Sequence, residues 1–250
     1  MKLIDTIAAS IGKRGLLHTL SLIGKNVAHQ SRSYLDRSFD RRYGTHTSGV
    51  VWLESLAISS PHAPLGVYYE ATPVTVFRRL MDSLTVDITR FGYFDYGSGM
   101  GRTLLMASDY PFRFIRGIEF SKTLHSIAEH NISIYRSPRQ RCYDIRSLCI
   151  DATDFDPPPD PAVFFLYNPF DAPIMRIVFR KIEESLVAHP REIHIIYFNP
   201  LSGYVLDEMG FMTRRREIPL RHDFTRKNQR RAMIYTYDPH APLGGMLARS

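Results

Sequence analysis

The sequence predicts an α/β fold, a doubly wound and mostly parallel sheet with a helical extension ahead of it. Three observations carry that expectation. From residue 66 onward, apolar strand-like runs alternate with amphipathic helix-like runs. Such βα repetition forces neighbouring strands to run parallel, with helices on both faces. The run AVFFLYNPF is almost continuously apolar, as a strand covered on both sides must be. The last two strand-like runs follow each other without a clear helix, so an antiparallel hairpin ends the sheet.

Each element has its own signal. VTVFRRLMDSL, after Pro73, has helical spacing, and proline suits a helix start. FGYFDYGS is a strand running into a glycine turn, and RTLLMASDY is the helix after it. FRFIRGIEF is the second strand, followed by the helix SKTLHSIAEHNISIY with Ser121 as its N-cap. IRSLCIDAT is the third strand, and the proline-rich DFDPPPDP can only connect. The fourth strand, AVFFLYNPF, leads into the amphipathic helix PIMRIVFRKIEESLVAHP, which Pro190 ends. EIHIIYF is the fifth strand, SGYVLDEMG a short helix closed by Gly210, and FMTRRREIPL and RRAMIYTYD the final two strands. The chain therefore divides into an N-terminal helical, basic and lid-like extension (1–65), a catalytic domain (66–238) and a flexible tail (239–250).

Composition narrows the functional classes. With 44% hydrophobic and 12% aromatic residues, the 250-residue chain can build a full core. Cys142 and Cys149 lack metal or disulfide spacing, and His125 and His130 are five apart, so no metal site is expected. The cysteines suit a reduced, cytoplasmic setting. The formal charge of +7 gathers at the ends, in Lys13–Arg42 and in Arg214–Arg231. That balance suits an acidic partner such as nucleic acid, although a solvated face that keeps the protein soluble is the simpler explanation. No run approaches the ~20 apolar residues of a membrane span. Leu3, Ile4, Ile7, Ala8 and Ile11, then Leu16, Leu17, Leu20 and Ile23, have helical spacing. They imply two amphipathic helices that dock on the protein, on another subunit or peripherally on a membrane. The polar, turn-rich FDRRYGTHTSGVV (39–51) reads as a lid or a linker.

Ligands of such sheets bind beyond the carboxyl ends of the strands, which points to Asp95–Gly101, Glu119, Asp151 and Tyr167–Phe170. Gly97-Ser98-Gly99-Met100-Gly101 has neither the GxGxxG spacing of a dinucleotide fold nor the GxxxxGK[ST] of a P-loop. Asp95 would oppose a pyrophosphate but suits a ligand bearing an ammonium group. S-adenosylmethionine carries one, and a sulfonium besides. Glu119, 18 residues after Gly101, can accept both ribose hydroxyls. Asp151 can accept the adenine amino group while small Ala152 admits the ring.

With DYGSGMG, the strand ends GIEF and CIDAT, and YNPF after strand four, the chain resembles the class I S-adenosylmethionine-dependent methyltransferases over residues 66–238. The resemblance implies a Rossmann-like, seven-stranded sheet whose last strand is reversed. DYGSGMGR is similar to the branch that contains the non-SET protein lysine methyltransferases. That likeness implies that Tyr69 and Thr72, in YYEATP, face the methionine end of the cofactor. It also implies cofactor contacts from Gly97, Ser98, Gly99, Gly101, Phe120 and Asn168.

Methyl transfer needs a nucleophile aligned with the methyl group, exclusion of water and a free lone pair. Asn168 can accept an N–H hydrogen bond there, and Tyr167 or Phe170 can stack on a planar group or face a cation. YNPF resembles the [DN]PP[YF] signature of nitrogen methyltransferases but lacks one proline. The expected acceptor is nitrogen of a protein side chain or another macromolecule. A non-catalytic scaffold or nucleic-acid-binding module, and aminopropyl transfer, are the alternatives. A nicotinamide-dependent dehydrogenase conflicts with the glycine spacing.

Overall fold

The computed structural model describes residues 37–51, 69–220 and 231–241. The amphipathic runs at 3–23, the basic connection at 221–230 and the tail from 242 lie outside them. In chain order the elements are α1 (37–43), β1 (Val50–Val51), β2 (Tyr69–Glu70), α2 (Val74–Asp82), β3 (Gly92–Tyr96), α3 (Arg102–Ala107), β4 (Ile115–Glu119), α4 (Lys122–Ile134) and β5 (Ile145–Cys149). Next come β6 (Ala162–Tyr167), α5 (Ala172–Ala188), β7 (Ile193–Phe198), α6 (Tyr204–Met209), β8 (Arg214–Pro219) and β9 (Arg231–Tyr237).

Seven strands form one sheet in the order β5-β4-β3-β6-β7-β9-β8. Pairing is parallel from β5 through β7, and β9 runs antiparallel to both β7 and β8. Six strands therefore share one direction and only β9, the last in sequence, opposes them. The first strand β3 lies centrally, with β4 on one side and β6 on the other. This reversal of strand order opens a crevice at the carboxyl ends of β3 and β6.

Strand alternation sends successive side chains to opposite faces. Tyr93, Phe165 and Ile196 join one buried cluster with Phe77 and Leu80 of α2 and Leu104 and Leu105 of α3. Phe94, Phe164 and Ile195 join the other, against Val178, Phe179 and Ile182 of α5 and Leu206 of α6. Neighbours such as Phe164 and Phe165 are fully buried on opposite faces. Truncating either to alanine would cost about 3–5 kcal/mol.

Local signals set the helix starts. Pro73 precedes α2 in an extended conformation, and Ser121 caps α4 by accepting the Leu124 N–H. Gly210 ends α6 in the left-handed conformation. Nothing in the sequence hints at the two-residue pairing of β1 with β2, which joins Val50 to Glu70 and Val51 to Tyr69. Segment 39–51 is built into the body, with Phe39 in the same core cluster as α2 and α3. Among the described residues, no helix is long and apolar enough to cross a membrane, and no group of three or more His, Cys, Asp or Glu could hold a metal ion.

Candidate functional site

The glycine turn leaves β3 directly into α3. Gly97 and Gly99 have φ of 76° and 54°, a region costly for residues with a side chain. Both also have close neighbours. A Cβ on Gly97 would lie 2.8 Å from Cβ of Pro169, and one on Gly99 would overlap the Tyr69 ring. The turn is thus narrow, held between the end of β6 and the Tyr69 ring. Gly101 differs from both, because it starts α3 and faces Ala128 of α4 instead of lining the cleft.

The cleft beside this turn spans about 600 Å³ when the open space at its mouth is included. Tyr69, Thr72, Asp95, Gly97, Ser98 and Gly99 line one part of it. Glu119, Phe120, Tyr167, Asn168 and Phe170 line the rest. A second, mostly apolar hollow of about 320 Å³ continues it and shares Gly97, Phe120 and Phe170. Asp151 and Ala152 line that hollow with Ile118, Ile150 and Ile174. All the sequence-predicted site residues except Gly101 thus meet along one continuous surface. A mostly apolar hollow bordered by a carboxylate suits a base, and the polar cleft suits its sugar and amino-acid portions.

Two buried carboxylates dominate the electrostatics. Burial pushes the Asp95 pKa up to about 8, opposed by the hydrogen bond from Thr103 and reinforced by the charge of Glu119. Burial likewise pushes Glu119 up to about 7, although backbone amides hold it down. Its Oε2 accepts the Gly99 N–H at 2.9 Å and its Oε1 the Ser121 N–H at 2.8 Å. Glu119 therefore shapes the glycine turn as well as facing the cleft. Asp151 accepts from the Thr153 backbone at 2.9 Å and its hydroxyl at 2.8 Å, fixing the turn after β5. The hydroxyl of Ser98 is buried in the cleft wall without a hydrogen-bond partner among the described residues. A ligand with donors and positive charge would satisfy this set; a phosphate would not.

At the other end, Asn168 has φ of 42° and its Oδ1 accepts from the Tyr197 hydroxyl at 3.3 Å. The Tyr167 hydroxyl donates to Oε2 of Glu70 at 3.0 Å, and its ring packs 4.3 Å from that of Phe198. Sequence reasoning misses Glu70, and also Thr103, Leu124 and Phe165, which line the cleft as well. The YYEATP stretch contains the available signal for Glu70, since a carboxylate beside Tyr69 must emerge near the same opening. Nothing in the sequence marks Thr103 as the partner of Asp95.

No family model matches the sequence, and no curated protein matches it. Among solved structures, the 23S rRNA methyltransferase ErmE is 13% identical over 68% of this chain and 69% of its own, with a TM-score of 0.46. A putative RNA methyltransferase from Pyrococcus horikoshii is 17% identical over 74% of this chain and 93% of its own, with a TM-score of 0.45. An RNA methyltransferase from Salinibacter ruber, solved with S-adenosyl-L-homocysteine, is 18% identical over 67% and 92%, with a TM-score of 0.44. The sheet itself has the six aligned strands and single reversed last strand that the sequence resemblance implied. The fold is a doubly wound, Rossmann-like α/β one.

Proposed function

We propose that the protein is an S-adenosylmethionine-dependent methyltransferase that methylates nitrogen on a protein side chain or another macromolecule. One observation carries the reading. The carboxylates ending three adjacent strands, Asp95, Glu119 and Asp151, border one cleft that begins at a glycine turn. Burying Asp95 and Glu119 together raises both pKa values, a cost that a cationic ligand relieves and an anionic one worsens.

The cofactor would supply an electrophilic methyl group on sulfur, with a neutral thioether as leaving group. The protein must then position the reactants, desolvate them and manage a proton. Asp95, held by Thr103, would receive the ammonium group. Glu119 would receive the ribose hydroxyls on a carboxylate already anchored by two backbone N–H groups. The hollow beside Asp151 and Ala152 would take the adenine. Asn168, steadied by Tyr197, would accept a hydrogen bond from the acceptor N–H and direct its lone pair. Glu70, beside Tyr167, supports an amine acceptor because a carboxylate there can hold an ammonium and take its proton.

Calorimetry with S-adenosylhomocysteine tests the reading. The intact protein should bind, and Asp95→Ala and Glu119→Ala should each weaken binding about 10- to 100-fold, as loss of a hydrogen bond to a charged group does. No binding to the intact protein would exclude the assignment, and undiminished binding in both variants would remove the site. Methyl-labelled cofactor in a fractionated cell lysate identifies the acceptor class. Label confined to small metabolites would overturn the macromolecule. Glu70 also favours a second reading, aminopropyl transfer, which needs a carboxylate near the acceptor amine. Turnover of the decarboxylated cofactor with putrescine would decide for it.

A further inference from the structure

Arg102 directly follows the glycine turn and is among the residues lining the cleft, and its guanidinium grips the segment ahead of β1. The side chain is 1% exposed. Its Nε donates to Thr47 Oγ1 at 2.7 Å and one terminal nitrogen donates to Ser48 Oγ at 2.8 Å. The guanidinium also lies 3.7 Å from Asp40 and 5.2 Å over the Phe39 ring.

The segment it grips is already a tight turn. Asp40 accepts the Thr45 hydroxyl at 2.8 Å, the Thr47 N–H at 3.0 Å and hydroxyl at 2.7 Å, and the Ser48 N–H at 2.7 Å and hydroxyl at 2.5 Å. Burial works against its charge, but hydrogen bonds from Ser48, Thr47 and Thr45 outweigh it and hold the Asp40 carboxyl below the usual range. A second anchor comes from α4. Asn131 Nδ2 donates to the carbonyls of His46 and Met100, both at 2.9 Å, while Oδ1 accepts the His46 N–H at 2.8 Å. One amide thereby joins this strap to the glycine turn itself.

The strap in turn holds Tyr69. The tyrosine hydroxyl donates to the Thr47 carbonyl at 2.6 Å, and its ring lies against Gly99 closely enough to forbid a Cβ there. Tyr69 also lines the cleft. The chain of contacts runs from Arg102 through Thr47 to the ring that covers the turn.

We infer that Arg102 is a positioning residue: through Thr47 it fixes Tyr69 over the glycine turn and so slows release of the cofactor. The inference rests on the cofactor reading for its ligand but on these contacts alone for the strap. Arginine is required because two donors in a fixed fork meet two hydroxyls; lysine would keep the charge and lose the fork.

Two measurements on the full chain test it. The first is amide hydrogen exchange without ligand, comparing wild type with Arg102→Lys and Thr47→Val. Thr47→Val keeps the carbonyl, introduces no buried charge and guards against a folding failure in Arg102→Lys. Both variants should exchange at least tenfold faster at residues 45–48 and around Tyr69, with β6 and β7 unchanged. Unchanged protection at 45–48 in both variants would overturn the inference. The second is the dissociation rate of S-adenosylhomocysteine, also measured in Tyr69→Phe and in Thr47→Val with Tyr69→Phe. Each single change should raise the rate about fivefold, the scale of the neutral Tyr69–Thr47 hydrogen bond that each loosens or removes, and the double variant should be no faster than Thr47→Val. Fully multiplicative effects would sink the coupling. If wild type fails to bind, the cofactor reading falls, and the exchange result still decides the strap.

Discussion

The ends of β6 and β7 carry the same local sequence, an aromatic residue followed by Asn-Pro, yet they lead to different surroundings. The strands are neighbours in register, with Tyr167 opposite Phe198. Asn168 and Asn199 both adopt positive φ, 42° and 52°. Each also precedes a proline, which disfavours helical conformations of the residue before it. Left-handed backbone costs about 1–2 kcal/mol for a residue with a side chain. Only Asn168 lines the cleft. Asn199 lies buried beyond it, its Oδ1 without a hydrogen-bond partner among the described residues. The difference comes from topology. β6 lies against β3, so its end meets the glycine turn, where Pro169 crowds Gly97. β7 lies one strand farther out, beside β9. The same three-residue chemistry reaches the cleft only at the point where the strand order reverses.

The largest test of this contrast is removal of each amide. Asn168→Ala should lower transfer of labelled methyl to lysate acceptors about 100-fold, the scale of a misplaced nucleophile. S-adenosylhomocysteine affinity should stay within about threefold by calorimetry. Asn199→Ala should leave transfer within about threefold, and equal losses in the two variants would erase the distinction.

Charge gives a second contrast, because carboxylates end β3 and β4 where amides end β6 and β7. Asp95 and Glu119 have pKa values raised to about 8 and about 7. Holding an ammonium group requires ionised Asp95, so binding should release protons. Affinity for S-adenosylhomocysteine should rise from pH 6 to pH 8, by up to roughly tenfold per pH unit for each proton released. Calorimetry in buffers of different ionisation enthalpy measures the release, and Asp95→Asn should flatten the profile. The ligand-free protein should follow the opposite sign. An acid whose pKa is raised on folding loses stability as pH climbs from its unfolded value near 4 toward 8, because the folded state binds more protons there.

Tyr167→Phe removes the hydroxyl that meets Glu70 and should reduce transfer about fivefold, the share of one hydrogen bond, without changing cofactor affinity. The smallest effect separates backbone strain from chemistry. Asn199→Gly should raise stability by about 0.5–1 kcal/mol, since relief of positive φ exceeds the entropy glycine adds to the unfolded chain. Asn168→Gly should relieve similar strain but sacrifice transfer. Denaturant melts and the labelled-methyl assay together distinguish the two.

Legibility in the sequence follows the range of the interaction. Strands and helices are readable because their periodicity and caps, such as Ser121 and Gly210, are local. Asp95, Glu119 and Asp151 are readable as a group because each ends a strand of one parallel array. Contacts between distant segments are not. Glu70 meets Tyr167 across 97 positions, and Arg102 meets Thr47 across 55. Side chains of these types are usually solvated, so nothing in their neighbours announces the pairing. Gly101 reads as part of the cleft because it continues an alternating glycine pattern; helix packing against Ala128 explains it instead. β1 and β2 contain two residues each, too few for any period to emerge.

The place of β9 has a consequence for biosynthesis. Although β8 is made first, its only partner in the described sheet is β9, which wedges between it and β7. A nascent chain ending before Arg231 therefore lacks the native partner of β8, and β7 keeps an open flank. The arginines of β8 would wait in water until β9 leaves the ribosome, so the sheet closes only after the last of its strands has been made.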